Sequence, residues 1–334
     1  MNQIVATQSE PEAAAGERPL AVEMVDVRKE FDDVIAVADI TLAIEPGQIV
    51  GLIGPSGSGK TTTIRLILGL YRPTSGIVRV NGKDPLDFDR ADREAIGYLP
   101  QHFLLYPELT VAENLEFVAA TYGLGWRARR RSIRDLLRTV DLTDAADRLA
   151  AQISGGMQRR LALASAMLHD PSFLVLDEPT AGIDPLLRAD IWQVFRGLRD
   201  EGRTLVVTTQ YVTEAEHCDQ VALISDGRVV AFGTPQELRR LAFGGEHVRL
   251  TVPDLDRQMM REILHFPHVA GGRWDGEDEL LLVVDDAGTA IPLITERLRE
   301  QDRQVTSVEK HQESFEQVFV ALVKKQDERV SPAA

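Results

Sequence analysis

The run GLIGPSGSGKTTT, Gly51 to Thr63, constrains this chain more than any other stretch. It follows an apolar strand pattern and opens a helical one, and Gly54, Gly59, Lys60 and Thr61 satisfy the spacing G-x-x-x-x-G-K-[ST]. The loop Gly54-Pro55-Ser56-Gly57-Ser58-Gly59 lets successive backbone N–H groups converge on phosphate oxygens. The helix that starts at Lys60, Thr61 and Thr62 adds partial positive charge at the same place. Lys60 is expected to reach the β- and γ-phosphates of a nucleotide, and the Thr61 hydroxyl to ligate Mg²⁺. The motif has meaning only between a strand and a helix, and the flanking pattern supplies both.

A second run, FLVLDEPT from Phe173, brings the acidic groups that such a loop needs. Alternation along a strand is expected to send Asp177 and Glu178 in different directions at its end. Asp177 then serves the metal shell, and Glu178 faces the γ-phosphate and an attacking water. An acidic pair also terminates strands without any chemistry; the neighbouring phosphate loop is what favours the catalytic reading. Between the two motifs, Ser154-Gly155-Gly156 opens an apolar helix, a second anion-binding design, although a plain Ser N-cap has the same appearance. A third run, TLVVTTQ, is apolar until it stops at the polar Thr208-Thr209-Gln210, and Gln210 is either an incidental polar strand end or an amide with a target.

Short β-branched runs alternate with helical periodicity over Lys60 to Leu70, Val111 to Tyr122, Arg127 to Val140, Gly156 to Leu168 and Leu187 to Asp200. This pattern predicts an α/β fold with a largely parallel sheet. Residues from about 101 to 169 are mostly helical and read as a subdomain inserted into the sheet domain. Near Phe243-Gly244-Gly245 the pattern changes to a smaller α+β unit, expected over 246–323 after a main domain over 21–242. The Ala-, Glu- and Pro-rich 1–20 and the final 324–334 read as disordered tails.

The net charge of −15 argues against general binding to nucleic acid, whose phosphates attract basic surfaces. One cysteine, Cys218, excludes an internal disulfide framework and fits a reducing compartment. No apolar run reaches the roughly 20 residues that a membrane-crossing helix needs. The N-terminal stretch lacks the basic start and apolar middle of a signal peptide, so a soluble cytoplasmic chain is expected.

Phosphate loop, then Ser-Gly-Gly helix, then Asp-Glu strand end is an order that strongly resembles the nucleotide-binding domain of ABC transporters, over about 22–241. The resemblance implies a P-loop ABC cassette that hydrolyses ATP with Mg²⁺ and pairs head to tail with a second copy. It places Phe31 where an aromatic ring stacks on adenine, though a lone ring is also an ordinary core residue. It places Gln101 at the loop that contacts Mg²⁺ or water and senses the membrane subunit. Ser154, Gly155 and Gly156 match the signature that binds the γ-phosphate held by the partner, and Asp184 matches an aspartate at the dimer seam. It further implies a separate permease, and a position at the cytoplasmic membrane face through it.

Two departures stand out. Met157 replaces the signature's usual glutamine, with a modest effect expected because the phosphate-facing trio is intact. Gln210 stands where the family has a histidine; its amide still donates and accepts hydrogen bonds but carries no proton. It is expected to act as a substitute clamp beside Glu178 as base. The terminal HQESFEQVFVALVKK resembles the extension of drug- and antibiotic-export ATPase subunits, which favours export of a lipophilic compound. Alternatives are a soluble ABC ATPase acting on ribosomes or DNA, or a weakly hydrolysing regulatory subunit. Against the DNA-acting class, only about ninety residues separate Thr61 from Ser154, without sustained heptads. The run WRARRRSIRDLLRTV, with Arg127, Arg129, Arg130, Arg131 and Arg134, reads as a solvated helix face or as a contact for anionic lipid headgroups.

Overall fold

Hydrogen bonding sorts the strands into three sheets in the computed structural model, which describes residues 4–5, 19–102 and 105–330. The first part of the chain contains β1 (Ile4–Val5), β2 (Val22–Phe31), β3 (Val34–Ile44), β4 (Ile49–Ile53), α1 (Lys60–Ile67), β5 (Ser75–Val80), α2 (Arg90–Glu94) and β6 (Ile96–Leu99). Three helices follow: α3 (Val111–Thr121), α4 (Trp126–Thr139) and α5 (Gly155–Met167). Then come β7 (Phe173–Asp177), α6 (Pro185–Asp200), β8 (Thr204–Thr209), β9 (Gln220–Ser225) and β10 (Arg228–Gly233).

The largest sheet has the order β1-β10-β9-β4-β8-β7-β6. Its central strands β4, β7 and β8 are buried along their whole length, as expected of parallel strands covered on both faces. Parallel registers pair Ile53 with Thr209 and Asp177 with Thr208. The carboxyl ends of β4, β8 and β7 therefore lie side by side, and the residues that follow them emerge at one edge. This is where ligands bind in open parallel sheets. The antiparallel hairpin β9–β10 turns through Asp226 and Gly227, both at positive φ, the conformation that a two-residue turn of this twist requires. A second sheet, β3-β2-β5, is antiparallel.

Helices α3, α4 and α5 share their own core of Val111, Leu115, Ile133, Leu137, Leu161 and Leu168. They form the inserted helical subdomain. Thr110 and Glu113 close a capping box at the start of α3, so this helix begins where its sequence specifies.

The chain divides between Phe232 and Gly233, not at 242–246. The second unit contains α7 (Pro235–Phe243), β11 (Glu246–Thr251), α8 (Arg257–Ile263), β12 (Val269–Trp274), β13 (Glu279–Val284), α9 (Ala287–Glu300), β14 (Ser307–His311) and α10 (Phe315–Val330). Its antiparallel sheet, β12-β13-β11-β14, packs a core of Val248, Leu250, Met259, Leu282, Ile294 and Leu298. The boundary moves because α7 packs on α10, and Lys325 donates to the Leu241 carbonyl at 2.9 Å. That contact also carries α10 past the expected end at 323. At the other terminus, Ile4 and Val5 pair with Ala231 and Phe232, so the expected tail 1–20 includes a strand; most of its other residues lie outside those described.

Candidate functional site

The phosphate loop leaves β4 at Ile53 and closes onto α1. Two glycines are required by close approach: a Cβ on Gly54 would lie 2.0 Å from the Ile224 carbonyl oxygen, and one on Gly59 would lie 2.4 Å from that of Ala36. Gly59 also has φ of 103°, which an L side chain rarely adopts. The Asp226-Gly227 turn braces the loop from below, because the Gly227 N–H donates to the Ser58 carbonyl at 3.0 Å. Pro55, Ser56 and Gly57 are exposed at the crest. Thr62 is half-buried in the first turn of α1.

Lys60 is buried, and its ammonium donates to the carbonyls of Gly54 and Pro55, each at 2.8 Å. Burial pulls its pKa below the ordinary lysine value, while the nearby Glu178 and Asp177 carboxylates oppose that shift. The side chain is thus folded back over its own loop, with its charge aimed at the crest.

Asp177 is 1% exposed, and its Oδ1 accepts from two hydroxyls, Thr208 at 2.6 Å and Thr61 at 3.3 Å. Its Oδ2 and the Ser58 hydroxyl are buried with no hydrogen-bond partner. Orphaned buried oxygens are costly unless a ligand completes them. A carboxylate and a hydroxyl suit a hard cation such as Mg²⁺, and the glycine-lined loop suits phosphates. The residues present therefore fit MgATP.

Glu178 follows at the strand end with φ of 49°, an uncommon left-handed conformation for a non-glycine residue. This turn separates its side chain from that of Asp177; simple strand alternation, the expected cause, does not, because β7 ends at Asp177. The Glu178 N–H donates to the Thr208 hydroxyl at 2.9 Å, and Gln101 Nε2 donates to Glu178 Oε2 at 3.2 Å. The structure thus brings Lys60, Thr61, Asp177, Glu178 and Gln101 together.

Other expected site residues stand apart. Ser154 caps α5 by accepting from the Met157 N–H at 3.3 Å, and Asp184 caps α6 by accepting from the Leu187 N–H at 3.0 Å. Ser154, Gly155 and Asp184 are exposed, and Gly156 is half-buried. Gln210 is exposed one residue beyond β8, and its amide makes no hydrogen bond among the described residues. Phe31 is 38% exposed, with its ring edge-on to Tyr71 and the Lys29 ammonium 4.8 Å from its centroid. It is an accessible ring, not a core one.

Sequence reasoning missed three residues. Arg159 of α5 is 7% exposed and threads its guanidinium among main-chain carbonyls. It donates to those of Pro179 at 3.0 Å, Asp177 at 2.8 Å and Gln101 at 3.1 Å, and also to that of Glu178. One side chain therefore fixes the strand end, the Gln101 loop and the Ser154 helix relative to one another. Its signal was an arginine sharing a helical face with Leu163 and Ala166, both buried. Thr208, the second hydroxyl on Asp177, was read only as part of a polar strand end, with no partner assigned. Glu214 is 2% exposed and accepts from the Thr180 hydroxyl at 2.7 Å beside Arg188 at 3.5 Å. No local pattern announces that pairing.

The family described as ABC transporter matches residues 37–181. The chain is 38% identical over 234 residues to the Nod factor export ATP-binding protein I of Burkholderia pseudomallei (strain 1710b), covering 70% of this chain and 77% of that protein. It is 36% identical over 241 residues to the "Probable multidrug ABC transporter ATP-binding protein YbhF" of Escherichia coli (strain K12). That match covers 72% of this chain but only 42% of YbhF. Among solved structures, an ATP-binding subunit of an ABC transporter aligns with a TM-score of 0.61 at 32% identity, over 67% of this chain and 93% of that one. A dimeric ATP-binding cassette in a post-hydrolysis state bound to ADP and Pi aligns with a TM-score of 0.59 at 30% identity, over 64% and 98%.

Proposed function

The chain belongs to the ABC transporter ATP-binding family, and from that premise we propose that it is the ATP-hydrolysing subunit of an exporter, powering a separate membrane permease. The observation that carries this reading is the buried, half-satisfied Asp177 beside Thr61, with Glu178 and Lys60 at the same strand ends. Lys60 and the loop N–H groups would hold the phosphates, and Phe31 offers a ring for the base. Glu178 accepts the proton of the water that attacks the γ-phosphorus, while the bond to the departing ADP oxygen breaks. Gln101 orients Glu178 through the bond already present. Bound Mg²⁺, held by Thr61, Asp177 and the Gln101 side, would neutralise charge on the phosphates.

Ser154-Gly155-Gly156, Asp184 and Gln210 complete the site of a second subunit, most simply another copy of this chain. Closure on ATP and reopening after hydrolysis then move the permease. Among the described residues no helix is long and apolar enough to cross a membrane, which fits a peripheral subunit at the cytoplasmic face. A groove of about 510 Å³ between the main sheet and the helical subdomain, lined by Leu70, Leu105, Tyr106, Phe117 and Val118, offers the permease an apolar seat. The multidrug and Nod-factor export names of the relatives favour a drug, antibiotic or other lipophilic cargo.

The test is phosphate release by the chain purified with its permease. Lys60→Ala should abolish ATP-dependent pairing and turnover together. Turnover that survives this change, or that is absent from the wild-type complex, would sink the reading.

A further inference from the structure

Helix α4 carries its charge at the end where a helix least favours it. The first-turn N–H groups leave partial positive charge at a helix N-terminus, so carboxylates are stabilising there and cations are not. The first turn of α4 has no acidic residue, Arg127, Arg129, Arg130 and Arg131 crowd its start, and Gly125 contributes no capping side chain. A helix face selected only for solubility would place these charges elsewhere.

The arginines are also aligned. At about 100° per residue, Arg127, Arg130, Arg131, Arg134 and Arg138 fall within one arc of about 100°, a stripe roughly 17 Å long. Ile133 and Leu137 of the same helix are buried, so the stripe lies beside the anchored face. Asp135 sits at its margin, 3.7 Å from Arg131 and 3.9 Å from Arg138. Arg127 and Arg134, near the middle of the arc, and Arg130, at its other margin, make no ion pair among the described residues. Trp126 precedes the stripe, about 100° round the helix from Arg127; it is 63% exposed, with the Arg127 guanidinium 5.6 Å from its ring centroid.

We propose that this face of α4 binds the headgroups of anionic phospholipids directly, with the Trp126 indole seated at the headgroup level. Arginine stripes gain affinity from an anionic bilayer surface, and exposed indoles partition to that depth. The chain as a whole carries −15, so the attraction has to be local. A planar surface meets the convex stripe first, and the acidic surface lying farther off than a Debye length of about 8 Å is largely screened from it. A flexible polyanion such as RNA would meet that acidic surface as well. The inference stands apart from ATP hydrolysis, since it concerns no residue of the nucleotide site.

The test uses the full chain without nucleotide, sedimented with phosphatidylcholine vesicles that contain or lack phosphatidylglycerol. Binding is expected only with the anionic lipid and should weaken as salt rises. The Arg127/Arg130/Arg134→Gln triple variant should lose about a hundredfold in affinity, roughly fivefold per arginine. It should melt no lower than wild type, because repulsion at the helix start is relieved, and its basal ATPase rate should be unchanged. A charge-matched Arg257/Arg261/Arg273→Gln variant, altered on exposed residues of the second unit, should bind as wild type does. Trp126→Ala should remove a vesicle-induced blue shift in fluorescence. Equal binding to neutral vesicles, equal loss in both triple variants, or capture by RNA but not by anionic vesicles would each overturn the proposal.

Discussion

Around Lys60, Asp177 and Glu178 the polar groups are bonded or buried within one chain, whereas Ser154, Gly155, Asp184 and Gln210 lie on the surface with local caps or no side-chain bond. The first region rests on adjacent parallel strands, whose register leaves little freedom. The second sits at two helix starts and one strand exit, where backbone donors point outward. The contrast separates groups that a single chain can preorganise from groups that need something brought to them. Buried Asp177 and Ser58 oxygens without partners belong to the first region, so even that half is built to be completed by a ligand.

The comparison can be broken most forcefully at Glu178. If the preorganised half does the chemistry, Glu178→Gln should cut turnover by about 10²–10⁴ while nucleotide still binds, as expected for loss of a general base. A change too small to measure would identify the chain as a regulatory subunit.

Next in size is Arg159, a side chain that ties the Ser154 helix to the end of β7. Arg159→Met takes the guanidinium donor away from the buried carbonyls of Asp177 and Pro179, while that of Glu178 keeps the Ala181 N–H, and should cost about 3 kcal/mol of stability. Thermal melting checks this, and Arg159→Lys should recover only part, because an ammonium cannot span the same carbonyls. A melt unchanged from wild type would show that the two regions are held together by other contacts.

Gln210→Ala should lower turnover about three- to tenfold with little change in melting, the effect of losing one hydrogen bond formed only in the closed state. Gln210→His in the assembled complex then asks whether a proton carrier does better. An alanine variant that turns over like wild type would mean that the amide clamps nothing.

The smallest effect on the single chain is expected at Ser154. Its cap bond is long, so Ser154→Ala should cost only about 0.5 kcal/mol of stability. ATP-dependent pairing should suffer far more than melting does. If the two fall in proportion, the hydroxyl is a cap and no more.

Much of the nucleotide site was legible because it is local. The phosphate loop, the Asp-Glu strand end and the Ser-Gly-Gly helix are each written in consecutive residues, and each sits where its pattern predicts. The main helices were readable from their periodicity for the same reason. Strand β6, whose four residues pair with β7, was too short to stand out, and the irregular β12 and bare β14 were missed in the second unit. The domain boundary was misplaced because an amphipathic helix such as α7 does not say which core it covers. That is decided by the packing of α7, with Leu238 and Ala242 buried, against α10 and β11.

The sequence alone determined a phosphate-binding α/β chain with an acidic strand end, because backbone geometry and hydrogen-bond donors over a few adjacent residues set those features. Only the tertiary structure decided that Arg159 and Thr208 serve the same site, that Glu178 turns through a left-handed residue, and that Phe31 stays accessible. Those outcomes depend on register between strands distant in sequence and on which buried carbonyls lack a donor, and neither is encoded in any single stretch.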